Sequence, residues 1–288
     1  MIRDLIISMR PVHWSKNLLV FAGLLFAGKA TDPELLLQSI MAFAAFCMIS
    51  SFVYIYNDLK DAPQDRLHPI KKNRPIAAGR ISESKVRFFA MLLGCAGVVL
   101  GSLLPNKTIT VLLVYMVINI FYSEWLKQVV ILDVMTIATG FVLRVLAGTF
   151  AIGVESSHWL LICTFLLSLF LGFGKRRNEL LVLESGGENH RKVLAHYSPY
   201  FLDQMISVVT PSTLVCYVLY TVSPETVLKV GSRGLLATAP FVIYGIFRYL
   251  YLVHERKQGG DPSVLLVRDP LLLISVVGWA VAVWLVIY

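Results

Sequence analysis

Nine stretches of this chain are apolar for too long to be strands of a soluble sheet: roughly 14–28, 35–56, 88–104, 108–122, 131–152, 158–174, 205–222, 234–252 and 270–288. A membrane span takes about 20 such residues. In hydrocarbon every backbone N–H and C=O must be satisfied inside a helix or a closed barrel. These runs are continuous and too long for barrel strands, so helices are the consistent reading. Only 15% of the 288 residues are charged and the mean hydropathy is +0.70. A soluble domain carries about 25% charged residues, so lipid is the expected solvent. The expectation is an all-α polytopic membrane protein, one domain over 1–288. The first and fourth runs are short for a span.

The formal net charge is +8. In a soluble protein that would suggest nucleic acid; here the positive-inside rule accounts for it, and no nucleic-acid partner is expected. With the N-terminus inside, 21 of the 26 Lys and Arg residues fall on the inner side and four on the outer, with Arg144 within a span. That split predicts a cytoplasmic N-terminus, an external C-terminus and two long polar inner loops, 57–87 and 175–204. Localisation in a bacterial or archaeal cytoplasmic membrane is expected. The first run follows Arg3, Arg10 and Lys16 as a signal peptide would, but eight further apolar runs make a cleaved start unnecessary. Cys47, Cys95, Cys163 and Cys216 lie singly in apolar runs without ligand spacing and read as small core residues.

The chemistry concentrates after the second run. Asn57, Asp61 and Asp65 are spaced i, i+4, i+8, with Asp58 seven before Asp65. If helix continues there, four oxygen-bearing side chains share one face. Clustered carboxylates repel; a divalent cation removes that penalty, and oxygen-only ligands favour Mg²⁺. Pro63 disfavours helix at Ala62 and makes Asp65 the weakest of the four ligands. Arg66, His68, Lys71, Lys72 and Arg74 follow at once, the groups a phosphorylated substrate needs beside a metal.

The run NDLKDAPQDRLHPIKKNRPIAAG resembles the NDxxDxxxD signature of the UbiA superfamily of membrane prenyltransferases. Its extension HPxKxxRPIAxG is closer to the polyprenyl-phosphate phosphoribosyltransferase branch, typified by the decaprenyl-phosphate enzyme. The opening Arg10-Pro11-x-x-Trp14-x-Lys16-Asn17 resembles that branch, as do Tyr122-Ser123 with Leu126-Lys127, Asp133, Gly140-Phe141 with Arg144, Gly174-Lys175-Arg176 with Glu179-Leu180, Arg191 and Tyr197. The likeness covers nearly the whole chain. It implies a nine-helix bundle with a central cavity open to the cytoplasmic side and to lipid. It implies Mg²⁺ at Asn57, Asp58, Asp61 and Asp65, with phosphoribosyl diphosphate and a polyprenyl phosphate as substrates, in cell-envelope biosynthesis. Whether the protein is a homo-oligomer is left open.

One departure bears on the substrate. UbiA-type prenyltransferases carry a second aspartate motif after the sixth span, where this chain has Lys175, Arg176 and Arg177. Glu184 and Glu188 straddle Gly186-Gly187, which spoils a helical face. The basic run suits direct contact with a phosphate. Asp58, Asp61, Lys175 and Arg176 are the expected catalytic residues. Arg10, Lys16, Asn17, Arg66, His68, Lys71, Arg74, Tyr122, Lys127, Arg144 and Arg191 are the expected substrate contacts. Arg144 needs a partner or a polar cavity, because a mid-membrane charge costs at least ~2.5 kcal/mol; Asp133, eleven residues earlier on the same helix, is roughly 16 Å away and cannot pair with it. Arg144 is read as facing the cavity. The expected reaction is Mg²⁺-assisted transfer of the 5-phosphoribosyl group to the lipid phosphate with release of diphosphate. The alternatives are an aromatic prenyltransferase of the same superfamily, and a non-catalytic lipid-binding or transport protein.

Overall fold

Four helices begin at a polar residue followed by proline, and the physics of the pairing sets where the chain enters each one. Asp32, Ser198, Ser223 and Asp269 each accept a backbone N–H of the first turn, and the next residue is Pro33, Pro199, Pro224 or Pro270. The side chain satisfies an orphan donor, and proline fills a position whose N–H would have no partner. The computed structural model describes residues 1–67, 71–184, 192–256, 260 and 262–288. They form two compact units, Met1–Ser156 and Ser157–Tyr288.

The first unit runs α1 (Ile2–Met9), a 3₁₀ segment (Pro11–Phe21), α2 (Ala22–Phe26), α3 (Pro33–Asp65), α4 (Glu83–Ser102), α5 (Asn106–Glu124) and α6 (Leu132–Ala151). The second runs α7 (His158–Glu184), α8 (Pro199–Val222), α9 (Pro224–Val230), α10 (Ala239–His254), α11 (Pro262–Arg268) and α12 (Pro270–Ile287). All described regular structure is helical, as expected for the fold class. Among the described residues eight helices are long and apolar enough to cross a membrane, and they match the second to ninth expected spans.

The first expected span takes a different form. Residues 14–28 lie in the 3₁₀ segment, α2 and the turn after it. This segment runs close against α6. A Cβ on Gly148 would lie 1.8 Å from the carbonyl oxygen of Val20, so only glycine admits that backbone. A 3₁₀ helix rises ~2 Å per residue against ~1.5 Å for an α-helix, so the segment gains length from few residues.

The core of the first unit packs Val20, Ala42, Phe46, Ile49, Leu112, Tyr115, Leu143 and Ala147 between α3, α5, α6 and the 3₁₀ segment. At 33 residues α3 is ~50 Å long, longer than a bilayer core of ~30 Å, so its last turns project beyond the hydrocarbon. Pro63 lies inside that helix without ending it. It lacks an N–H for the Leu59 carbonyl, but only near the C-terminus, and Arg66 N–H still donates to the Ala62 carbonyl at 3.1 Å. Asp65 therefore stays on the helix and on its acidic face.

Candidate active site

At ~100° per residue, Asn57, Asp58, Asp61 and Asp65 occupy about a quarter of the helix circumference. The structure brings them together as the spacing requires. Asp58 and Asp65 are both 4% exposed, and a buried carboxylate needs charged or hydrogen-bonding partners. Three cations from three separate segments supply them. Arg10 donates to Asp58 Oδ1. Arg74 Nη1 donates to Asp58 Oδ1 at 3.0 Å and to Asp65 Oδ2 at 2.6 Å. Lys127 Nζ pairs with Asp61 Oδ1 at 2.6 Å, and Asn57 Nδ2 donates to Asp61 Oδ2 at 3.0 Å.

Each cation reaches the acids through a local device. Arg10 ends α1 in the left-handed region, φ 56°, and its guanidinium also lies over the Tyr54 ring, 5.3 Å from the centroid. Arg74 opens a turn whose apolar residues fold back onto α3 and α4. Ile76 and Ile81 are buried with Ile55, Ala62, Val86, Ala90 and Leu93. Gly79 adopts φ +67° with open space where a Cβ would be, so its conformation, not crowding, requires glycine. Arg66 Nε caps the Ala77 carbonyl at 3.3 Å, which places it on this turn. Lys127 lies in a short 3₁₀ turn after α5.

Glu124 was not among the residues singled out from sequence. It accepts from Tyr56 Oη at 2.7 Å and from Lys60 Nζ at 2.6 Å. It thereby ties the end of α5 to α3 beside the Lys127–Asp61 pair. The available signal was its place two residues after Tyr122 and three before Lys127.

Arg144 is 4% exposed. It donates from Nε to Asn17 Oδ1 at 2.8 Å, from Nη1 to the Gly140 carbonyl at 2.8 Å and from Nη2 to Tyr115 Oη at 3.0 Å. Its guanidinium also lies 5.0–5.2 Å from the rings of Phe46, Tyr115 and Phe141. Asn17 in turn donates to Ser50 Oγ and Cys47 Sγ. The inability of Arg144 to pair with Asp133 holds; its partners are neutral dipoles, and they join α6 to the 3₁₀ segment that follows Arg10. Lys16 and Tyr122 are half-buried, one on that segment and one on α5.

In the second unit Lys175 and Arg176 lie on α7. Arg176 is 2% exposed and pairs with Glu179 at 2.6 Å. Arg177 binds Asp203 of α8, which also faces His254 Nε2 of α10 at 3.2 Å. His254, given no chemistry from sequence, thus belongs to a three-helix tie. Lys71 is half-buried in a 3₁₀ turn. His68 and Arg191 lie outside the described residues, as does Glu188.

Among the described residues no three His, Cys, Asp or Glu side chains converge as a ready metal cage. Mg²⁺ seldom needs one: it takes one or two carboxylates and completes its shell with water and substrate phosphate. The donor set fits that habit, being all oxygen and presented on one helix face next to arginine and lysine.

Comparison with known proteins shows the family and the fold. Residues 17–276 match the UbiA prenyltransferase family. The decaprenyl-phosphate phosphoribosyltransferase of Mycolicibacterium smegmatis is 31% identical over 100% of this chain and 93% of its own length. That of Corynebacterium glutamicum is 30% identical over 98% of this chain and 86% of its own length. Among solved structures, a UbiA homolog from Archaeoglobus fulgidus bound to GPP and Mg²⁺ superposes with a TM-score of 0.73 at 18% identity, covering 99% of each chain. The chain belongs to the UbiA prenyltransferase family and has its fold, and it is an integral membrane protein.

Proposed function

We propose that this protein transfers a 5-phosphoribosyl group from phosphoribosyl diphosphate to a polyprenyl phosphate, releasing diphosphate. The observation that carries the reading is the whole-length identity of 30–31% to two decaprenyl-phosphate phosphoribosyltransferases. The charge pattern supports it. Phosphoribosyl diphosphate carries two separated phosphate groups and the lipid phosphate is a third, so the substrates together demand many cationic contacts. Arg10, Arg74 and Lys127 at the acids, with Lys175 and Arg176 on α7, answer that demand. The family match crosses the boundary between the two units, which supports treating 1–288 as one functional domain.

Mg²⁺ would be held by Asp58 and Asp61, with Asn57 and Asp65 completing the acidic face; when bound it would stabilise the diphosphate leaving group as a Lewis acid. The chain's own residues do the rest. Arg74 and Arg10, forked guanidiniums, suit two phosphate oxygens at once. Lys127 supplies a point charge beside Asp61. As C1 of the ribose loses diphosphate it gains positive character, and the cationic contacts serve the reaction by neutralising the departing group. The attacking lipid phosphate is anionic at neutral pH, so no general base is required, and catalysis is mainly positioning. Arg144 holds Asn17 and so steadies the 3₁₀ segment that carries Lys16. Lys175 and Arg176 are assigned to the lipid phosphate.

Purified protein with Mg²⁺ is offered labelled phosphoribosyl diphosphate plus polyprenyl phosphate and, separately, a prenyl diphosphate plus an aromatic acid. A lipid-extractable ribosyl label in the first reaction alone is expected. Prenylation of the aromatic acid without ribosylated lipid would move the assignment to an aromatic prenyltransferase, and silence in both would favour a non-catalytic role. The orientation we propose puts the N-terminus and the acidic face in the cytoplasm, on the charge bias of the loops. In a cysteine-free background, an impermeant thiol reagent added to intact cells should label Ser232→Cys and spare Ser82→Cys; labelling of the latter reverses the orientation.

A further inference from the structure

Asp58, Asp61 and Asp65 carry three negative charges, and Arg10, Arg74 and Lys127 carry three positive ones within hydrogen-bonding distance of them. The six side chains neutralise one another. Arg74 is the centre of the arrangement, since one nitrogen bridges two carboxylates that are each 4% exposed. From this geometry we infer that Arg74 is a binding residue that exchanges carboxylate for phosphate and so makes metal and diphosphate bind only together. The inference rests on the acidic face being the metal and diphosphate site, and deepens that reading.

The argument is one of charge and of partners. A divalent cation arriving alone adds two positive charges to a set that is already neutral. It must compete with Arg74 for Asp58 and Asp65. The displaced guanidinium then loses two carboxylate partners, with only partial access to solvent to replace them. A diphosphate arriving alone meets three carboxylates. When both arrive, their charges largely cancel. The guanidinium leaves a carboxylate pair and finds phosphate oxygens, and its planar fork suits either anion equally well. Only the side chain has to turn. Ile76 and Ile81, buried against α3 and α4, keep the backbone of the Arg74 turn in place. Lys127 does the same for Asp61 at smaller scale, through one bond.

Equilibrium dialysis with Mn²⁺ in place of Mg²⁺ reads this without turnover. Detergent-solubilised full-length protein should retain little Mn²⁺ alone, and should retain it when inorganic pyrophosphate is present on both sides of the membrane. Arg74→Gln should retain Mn²⁺ without pyrophosphate, with affinity raised on the order of tenfold or more, because one cation beside two carboxylates is gone. Arg74→Lys keeps the charge but not the fork and should fall between. Lys127→Met provides a second, independent variant, expected to shift the same way by less, and a thermal melt of each confirms folding. Wild-type protein that binds Mn²⁺ alone as tightly as Arg74→Gln overturns the inference. So does an Arg74→Gln protein, melting as the wild type does, that binds no metal under any condition. Pyrophosphate is common to phosphoribosyl and prenyl donors, so a wrong donor assignment would leave this result unchanged and would show only in the substrate assay.

Discussion

Two arginines of the first unit meet opposite surroundings. Arg144 sits deep in α6, where Asn17, Tyr115, a backbone carbonyl and three aromatic rings hold it. Arg74 sits at the projecting end of α3, where two carboxylates hold it. Neutral dipoles and ring faces compensate a guanidinium without offering anything for a ligand to exchange. Carboxylates compensate it with charge that a metal can claim, and the arginine can then claim phosphate. We propose that the cation in the span interior is a structural pin, in place of the cavity-facing substrate contact expected from sequence, and that the cations at the acidic face are the working ones.

The comparison breaks first at the acids. Asp58→Asn and Asp61→Asn should each lower turnover about 100-fold, the scale of losing a preorganised charge-stabilising group. Folding should survive, because asparagine keeps the size and a side-chain oxygen for the same donors, and Arg74 keeps its pair with Asp65. Steady-state rates beside a thermal melt test this, and unchanged turnover in both variants would remove the acidic face from the chemistry. One turn along α6 from the pin, where the helix meets the 3₁₀ segment, the effect should invert. Gly148→Ala forces a Cβ onto the Val20 carbonyl and should cost about 2 kcal/mol of stability, as overpacking does. The affinity of the surviving folded fraction for pyrophosphate with Mn²⁺ should stay near that of the wild type. A variant with normal melting and lost ligand binding would make the pin part of the ligand site. The smallest effect is expected at Glu124. Glu124→Gln keeps the size and an acceptor for Tyr56 while weakening the Lys60 pair, which is exposed and screened by solvent. A few-fold rise in KM with little change in melting is expected, and a loss as large as that of Asp58→Asn would promote Glu124 into the catalytic set.

The acidic face was legible because it is local. Asn57, Asp58, Asp61 and Asp65 share one helix, and helical periodicity alone aligns them. Arg10, Arg74 and Lys127 were legible as residue types but not as partners, since each comes from a different segment. Glu124 passed unnoticed because a single acid at a helix end has no spacing to mark it. Of the partners of Arg144, Tyr115 and Asn17 were out of reach, lying 29 and 127 residues away.

By itself the sequence determined the solvent, eight of the nine expected spans and the one face that carries acids, because all of these depend on residues within a few turns of one another. Tertiary structure alone decided that Pro63 leaves the acidic helix unbroken and that the first apolar run becomes a 3₁₀ segment against Gly148. It also decided which cation sits on which carboxylate. Those outcomes depend on how close two distant backbones come and on which buried charge has no other partner, and neither quantity is written in local periodicity.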